Sequence, residues 1–239
     1  GKAPDGNKGE GRVKRFSRWV KNEKIETELY FMPFAQALLS SLSSQTLVLA
    51  IDGSVIGRGC IALMVNVIYK GRALPIAWCV VKGNKGHLPE ALHIDLIEQV
   101  KPLVSAEAHV VFVGDGEFDG VNLQRTITKY NWDYVCRTGD NIKVFQGGQE
   151  LSCAEVACRV QLGERITLSD VLFSHEKYGP VTLIGWWRKG CKEPILLVTN
   201  IALPEVACTY YSKRFRIEKF FSDQKSRGFS LHKSHISDP

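Results

Sequence analysis

Residues 46–53 read Thr-Leu-Val-Leu-Ala-Ile-Asp-Gly, an apolar run that stops at a carboxylate. A run of this length bounded by a turn signal predicts a strand buried on both faces, with Asp52 at its C-terminal end. Residues 109–116 repeat the pattern as His-Val-Val-Phe-Val-Gly-Asp-Gly, which places Asp115 where a second buried strand ends. A single Asp-Gly is more often a plain turn. Two at the ends of two hydrophobic strands make a candidate site.

The stretches between and beyond these runs supply the rest of a fold. Residues 60–69 and 72–81 are β-rich and separated by Lys70-Gly71, a hairpin signal. Residues 87–104 carry Leu88, Ala91, Leu92, Leu96, Ile97 and Val100 at helical spacing. A helix at 120–130 and a short strand at 134–136 complete the order β-β-β-α-β-α-β. That order predicts an α/β fold: three antiparallel strands, then parallel crossovers, giving a mixed sheet with helices on its faces. Residues 141–200 change to short alternating runs between Gly-rich turns, read as a β-rich insertion, and residues 204–227 have uninterrupted helical spacing. Ahead of the sheet, 1–45 reads as a flexible lead-in followed by two helices, the first of them basic. The core is then 46–140 with 201–239, and the insertion is 141–200.

Composition excludes several classes. The 239 residues are 44% hydrophobic and 23% charged, enough for a sizeable core, and no stretch approaches the roughly 18 to 20 apolar residues that span a bilayer. No membrane partner is therefore expected. Seven cysteines without a Cys-x-x-Cys suggest neither a disulfide framework nor a zinc ribbon and suit a reducing cytoplasm. The net charge of +6 is concentrated in residues 211–239, where seven basic residues outnumber three acidic ones. A basic terminus is usually a solvated face, and nucleic acid is the first alternative.

On a helical wheel, Tyr211, Arg214, Glu218 and Lys225 share one arc roughly 60° wide beside an apolar face containing Ile217 and Phe221, while Arg216, Lys219 and Asp223 fall on a solvent face. Arg214 and Glu218 alone would be an ordinary i,i+4 pair. With Asp52 and Asp115, Glu218 completes a carboxylate set suited to hard cations such as Mg²⁺ or Mn²⁺. Two such ions about 3.5 to 4 Å apart serve the attacking and leaving oxygens of a phosphoryl displacement.

The spacing Tyr211-x2-Arg214-x3-Glu218-x6-Lys225 resembles the Y-R-E-K signature of DDE transposases of bacterial insertion sequences, the family numbered four, and the order Asp52, Asp115, Glu218 resembles its catalytic triad. The resemblance implies a ribonuclease-H-like core with a β-rich insertion before the glutamate. It implies cleavage and strand transfer at transposon ends, with two Mg²⁺ or Mn²⁺ ions on Asp52, Asp115 and Glu218. It further implies Tyr211, Arg214 and Lys225 as contacts to DNA phosphates. The partners would be double-stranded DNA at transposon ends and target, with a homodimer assembled on the DNA, in a bacterial cytoplasm and at the nucleoid when bound. Two positions depart from the pattern. Gly116 stands where an arginine is common, and Glu117 is a competing ligand, Asp115 being preferred for its place at the strand end. Trp186 and Trp187 fall in the insertion, where base stacking is the functional alternative to packing. The function class opposed to a transposase is a silent DNA-binding remnant or transposition inhibitor that keeps the fold.

Overall fold

The computed structural model describes residues 24–57 and 59–227, together with 11, 14, 15, 18 and 22. The lead-in and most of the basic helix expected before residue 22 lie outside the described residues. Two short helices, α1 (Thr27–Tyr30) and α2 (Met32–Leu42), precede the first strand, β1 (Leu47–Val55). Then follow β2 (Cys60–Tyr69), β3 (Arg72–Lys82), α3 (Glu90–Val100), β4 (Val110–Gly114), α4 (Val121–Lys129) and β5 (Asp133–Thr138). The expected order is present element by element. β1 to β3 are antiparallel, β4 is parallel to β1, and β5 is parallel to β4, in the spatial order β3-β2-β1-β4-β5. This is a ribonuclease-H-like mixed sheet flanked by helices.

The β2–β3 hairpin closes as the sequence requires. Lys70 and Gly71 both have positive φ (44° and 75°), the pair of left-handed residues that a two-residue turn of this hand needs. Pro75 sits in β3, at the sheet's edge, where a missing N–H costs no ladder bond, and Ile76 is the extra residue where the register shifts.

Residues 141–200 extend the same sheet. They form β6 (Lys143–Gln146), β7 (Gln149–Ser152), α5 (Cys153–Arg159), β8 (Arg165–Phe173), β9 (Tyr178–Trp186) and β10 (Ile195–Thr199). β10 pairs antiparallel with β5, and β9, β8, β6 and β7 follow outward to make a ten-stranded sheet. The chain then returns as α6 (Pro204–Lys213), α7 (Phe215–Ser222) and a π-helical turn, Asp223–Arg227. The single helix expected at 204–227 is thus broken at Arg214. There the Arg214 N–H donates to Tyr211 O (3.0 Å) and the Ile217 N–H to Arg214 O (3.0 Å), three-residue bonds that tighten the turn.

Strand alternation sorts the core into two layers. Leu47, Leu49 and Ile51 of β1 join Val110 and Phe112 of β4 under α2, α3 and α4. Val48 and Ala50, with Val111 and Val113, face Tyr211, Ile217 and Phe221 of α6 and α7. By the same alternation, Asp52 and Asp115 continue the second series, toward the α6–α7 side. Gly114, at the end of β4, is held to glycine by packing: a Cβ there would stand 2.6 Å from the Phe118 Cβ, and Phe118 is fully buried. Gly114→Ala is expected to destabilise the fold by about 1–3 kcal/mol, as overpacking does, and a urea titration reporting less than about 0.5 kcal/mol would contradict this close approach.

Candidate active site

Asp52 is not where β1 stops. Antiparallel pairing carries β1 on to Val55 opposite Ile61, whereas its parallel pairing with β4 ends at Ala50 opposite Val113. Asp52 therefore lies just past the edge of its parallel neighbour, in a notch that an Asp-Gly turn would not have formed. It is 3% exposed, accepts the Gly53 N–H at Oδ1 (2.8 Å), and holds the Lys85 ammonium at 3.1 Å on that same oxygen. Burial pushes its carboxyl above the ordinary range, and the charge of Asp115 adds to this. Lys85 and Arg214 pull the other way without cancelling it.

Asp115 directly follows β4, and its Oδ1 accepts the N–H of Glu117 (3.1 Å). Its charge acts on Asp52, His93, Tyr211 and Arg214, which places it at the meeting point of β1, α3 and the α6–α7 turn. Glu117 is occupied elsewhere. Its two oxygens accept the backbone N–H groups of Gly86 (3.2 Å) and Leu88 (3.0 Å), so it clamps a loop.

The helical residues divide by burial. Tyr211 and Arg214 are buried (2% and 6% exposed), and Arg214 Nη2 donates to Glu218 Oε1 at 2.7 Å. Burial disfavours the Arg214 charge, but Tyr211, Glu218, Asp115 and Asp52 together hold its pKa above the usual arginine value. Burial raises the Tyr211 hydroxyl, with Arg214 opposing. Lys225 is partly buried. Burial lowers its pKa, with Lys85 lowering it further and Asp52 raising it, so the two lysines and Asp52 form one electrostatic group. Glu218 is turned toward Arg214, and among the described residues no three His, Cys, Asp or Glu side chains are gathered to hold a metal ion.

The donor chemistry nevertheless fits a divalent cation. A buried carboxylate held above its ordinary pKa by burial and by a second carboxylate gains from added positive charge, and an ammonium already stands on its outer oxygen. Asp52 and Asp115 would hold the cation. Glu218 would have to exchange Arg214 for it.

One cavity adjoins these residues and another lies farther along β1. The first, of about 590 Å³, is lined by Lys85, Asp115, Gly116, Arg137 and Glu193 among others. Gly116 occupies the place where the resemblance led to an arginine, and Arg137 of β5 brings a guanidinium into the same cavity, 3.6 Å from Glu193. The second, of about 510 Å³, lies at the opposite end of β1 between Thr46, the hairpin residues Tyr69 and Lys70, and Lys213 and Arg216. Arg216 is exposed, as expected of a solvent face, and its guanidinium also comes near the β2–β3 turn. Sequence reasoning missed Lys85 and Arg137. The basic, glycine-flanked stretch 82–86 was a usable signal for the first, and nothing local distinguishes the second. Trp186 packs partly buried beside the α6–α7 core, and the Trp187 Nε1–H donates to Cys191 O (3.0 Å).

No helix among the described residues is long and apolar enough to cross a membrane. No curated protein matches the chain. Among solved structures, a piggyBac transposase synaptic complex with hairpin DNA is similar at a TM-score of 0.52 and 15% identity, over 80% of this chain and 42% of that one. Human endonuclease V is similar at 0.40 and 12%, over 84% and 98%. Endonuclease V of Ciona intestinalis, in complex with inosine-containing DNA, is similar at 0.43 and 12%, over 86% and 99%. At these identities the likeness is one of fold, and the chain spans less than half of the piggyBac transposase chain. The transposase DDE domain family matches residues 43–239, a span that takes in every residue of the site, and the chain belongs to that family.

Proposed function

We propose that the chain is the catalytic core of a DNA transposase, cutting phosphodiester bonds at transposon ends and joining the freed 3′ end to target DNA. The observation that carries this reading is the convergence of Asp52 and Asp115 on the face covered by α6 and α7, with Arg214 at their junction, Glu218 in α7 and Lys225 in the π-helical turn that follows.

Each residue has a role in that chemistry. Asp52, Asp115 and Glu218 are the ligands, and Mg²⁺ or Mn²⁺ bound there supplies charge neutralisation at the transferring phosphoryl group. Lys225 stands close enough to Asp52 for their charges to interact and contacts a phosphate beside the scissile one. Arg214 keeps its charge under burial and holds Glu218 until the site is filled. Tyr211, buried against Arg214, orients the guanidinium and reaches DNA only through it. The cavity of Lys70, Lys213 and Arg216 lies along β1 from Asp52, about 13 Å away at roughly 3.3 Å per residue from Val48. Together these cations trace a path for one duplex, and two chains would each bring one transposon end.

The test is incubation with a labelled duplex carrying a pre-nicked transposon end, in Mg²⁺ or Mn²⁺. Metal-dependent nicking or joining that stops with a chelator is expected, along with DNA affinity that falls steeply with salt. Binding without any cutting or joining, in Mn²⁺ and within a longer chain as well as alone, would leave the silent DNA-binding protein instead.

A further inference from the structure

We propose that Lys85 is a phosphate-contacting residue of this site that occupies the cation's place on Asp52 when no divalent ion is bound, and that Glu117 positions the loop carrying it. This rests on the transposase reading and deepens it.

Contact and exposure carry the first part. Lys85 Nζ lies 3.1 Å from Asp52 Oδ1, yet the lysine side chain is 48% exposed while that of Asp52 is 4% exposed. The ammonium thus reaches from solvent onto a buried carboxylate, and its four-carbon stem is free to swing away. An ammonium and a divalent cation cannot share that oxygen, because both need the same few ångströms and repel one another. Binding of one releases the other. Once displaced, Lys85 has a destination: it lines the 590 Å³ cavity with Asp115 and Arg137, where a phosphate of the bound strand would meet it. A lysine serving only as a structural counter-ion would not need that opening.

The backbone on either side of the site carries the second part. The Glu117 N–H donates to Asp115 Oδ1 (3.1 Å), while its carboxylate accepts from Gly86 (3.2 Å) and Leu88 (3.0 Å). One residue therefore ties the second aspartate to the loop directly after Lys85. Underneath, His93 is buried with its Nε2 4.0 Å from Glu117 Oε1, beyond hydrogen-bond reach and making no other polar contact at its ring nitrogens among the described residues. Burial lowers the His93 pKa although Glu117 opposes this, so the ring is neutral and leaves the Glu117 carboxylate to the loop.

The experiment compares wild type with Lys85→Met, which keeps the stem and removes the charge. Mn²⁺ affinity is measured by calorimetry without DNA. Binding of a cleavage-resistant duplex is measured against salt with and without Mn²⁺. The variant is expected to bind Mn²⁺ at least threefold more tightly. Its salt slope is expected to match wild type without Mn²⁺ and to fall short by about one unit with it, the mark of one lost phosphate contact. Lys85→Arg should keep the wild-type slope, which guards against a folding artefact. Adding Glu117→Ala to Lys85→Met should change the slope no further, since both act through one ammonium. Unchanged or weaker Mn²⁺ binding by Lys85→Met overturns the competition, and an additive slope change overturns the role of Glu117. Wild type that binds no Mn²⁺ at all would instead overturn the metal reading of the whole site and this proposal with it.

Discussion

Asp52→Asn is expected to lose cleavage altogether and at the same time to melt at a higher temperature than wild type. The two effects have one cause. Asp52 is buried, and burial with the nearby Asp115 holds its carboxyl above the ordinary range in the folded protein despite Lys85 and Arg214. A carboxyl whose pKa is higher folded than unfolded favours the fold while protonated, and that stability is lost as pH rises through the folded value. At neutral pH the charged Asp52 is thus a net cost to the fold. Asparagine removes the charge with almost no change in shape. Its advantage should be present at pH 7 and vanish below roughly pH 3.9, where the aspartic acid is protonated in both states. Lys85 loses its partner in the variant, but with its side chain half-exposed it is resolvated at little expense. Mn²⁺ should raise the melting temperature of wild type and leave that of the variant nearly unchanged, because a ligand stabilises only the state that binds it. Thermal melts at pH 7 and pH 3, with and without Mn²⁺, check this. A variant less stable than wild type at pH 7 would mean that Asp52 is a structural partner of Lys85 and not a site carboxylate in waiting.

The fold was legible because its strands are long and apolar and its turns are explicit. Residues 47–51 and 110–113 are buried on both faces, and Lys70-Gly71 permits only a tight turn, so element order followed directly. What escaped was set by partners distant in sequence. β1 runs past Asp52 because Val55 finds Ile61 across the hairpin, and nothing in residues 46–53 records that. The 141–200 segment was legible as β-rich but not as a continuation of the sheet, since the pairing of β10 with β5 joins residues about sixty positions apart. α5 was missed although its start is written in the sequence: Ser152 and Glu155 form a reciprocal capping box, Ser152 Oγ accepting the Glu155 N–H (3.2 Å) and Glu155 Oε2 accepting the Ser152 N–H (2.6 Å). At the site, the helical wheel set Tyr211, Arg214, Glu218 and Lys225 on one arc; the structure joins Arg214 to Glu218 but buries Tyr211 in the core with Ile217 and Phe221 and carries Lys225 on the π-helical turn. The wheel put Arg216 on the exposed face, where it lies, but could not show that its guanidinium also comes near the β2–β3 turn, since a wheel records no partner distant in sequence.

Glu218→Gln should reduce metal-dependent cleavage on the order of a thousandfold, the effect of removing about 4 kcal/mol of charge stabilisation at 1.36 kcal/mol per tenfold. Stability should scarcely move. The side chain of Glu218 is 48% exposed, so solvent already screens its pair with Arg214, and the loss is expected to stay under about 1 kcal/mol. Glutamine keeps an oxygen that accepts from Arg214 Nη2, and the buried guanidinium retains the charges of Asp115 and Asp52. Duplex binding should persist or tighten, since a negative charge has been taken from a surface that meets phosphates. These three readouts separate the roles that the 2.7 Å contact leaves superposed. If Glu218 serves only to neutralise a buried arginine, Gln must lower the melting temperature and leave cleavage within about tenfold of wild type, the range of an indirect supporting contact. If Glu218 is a ligand that Arg214 holds in reserve, cleavage must collapse in a protein that still folds and still binds DNA. Arg214→Lys sharpens the distinction: it preserves the charge but not the planar fork, so it should free Glu218 and strengthen Mn²⁺ binding in the second case and merely weaken the fold in the first.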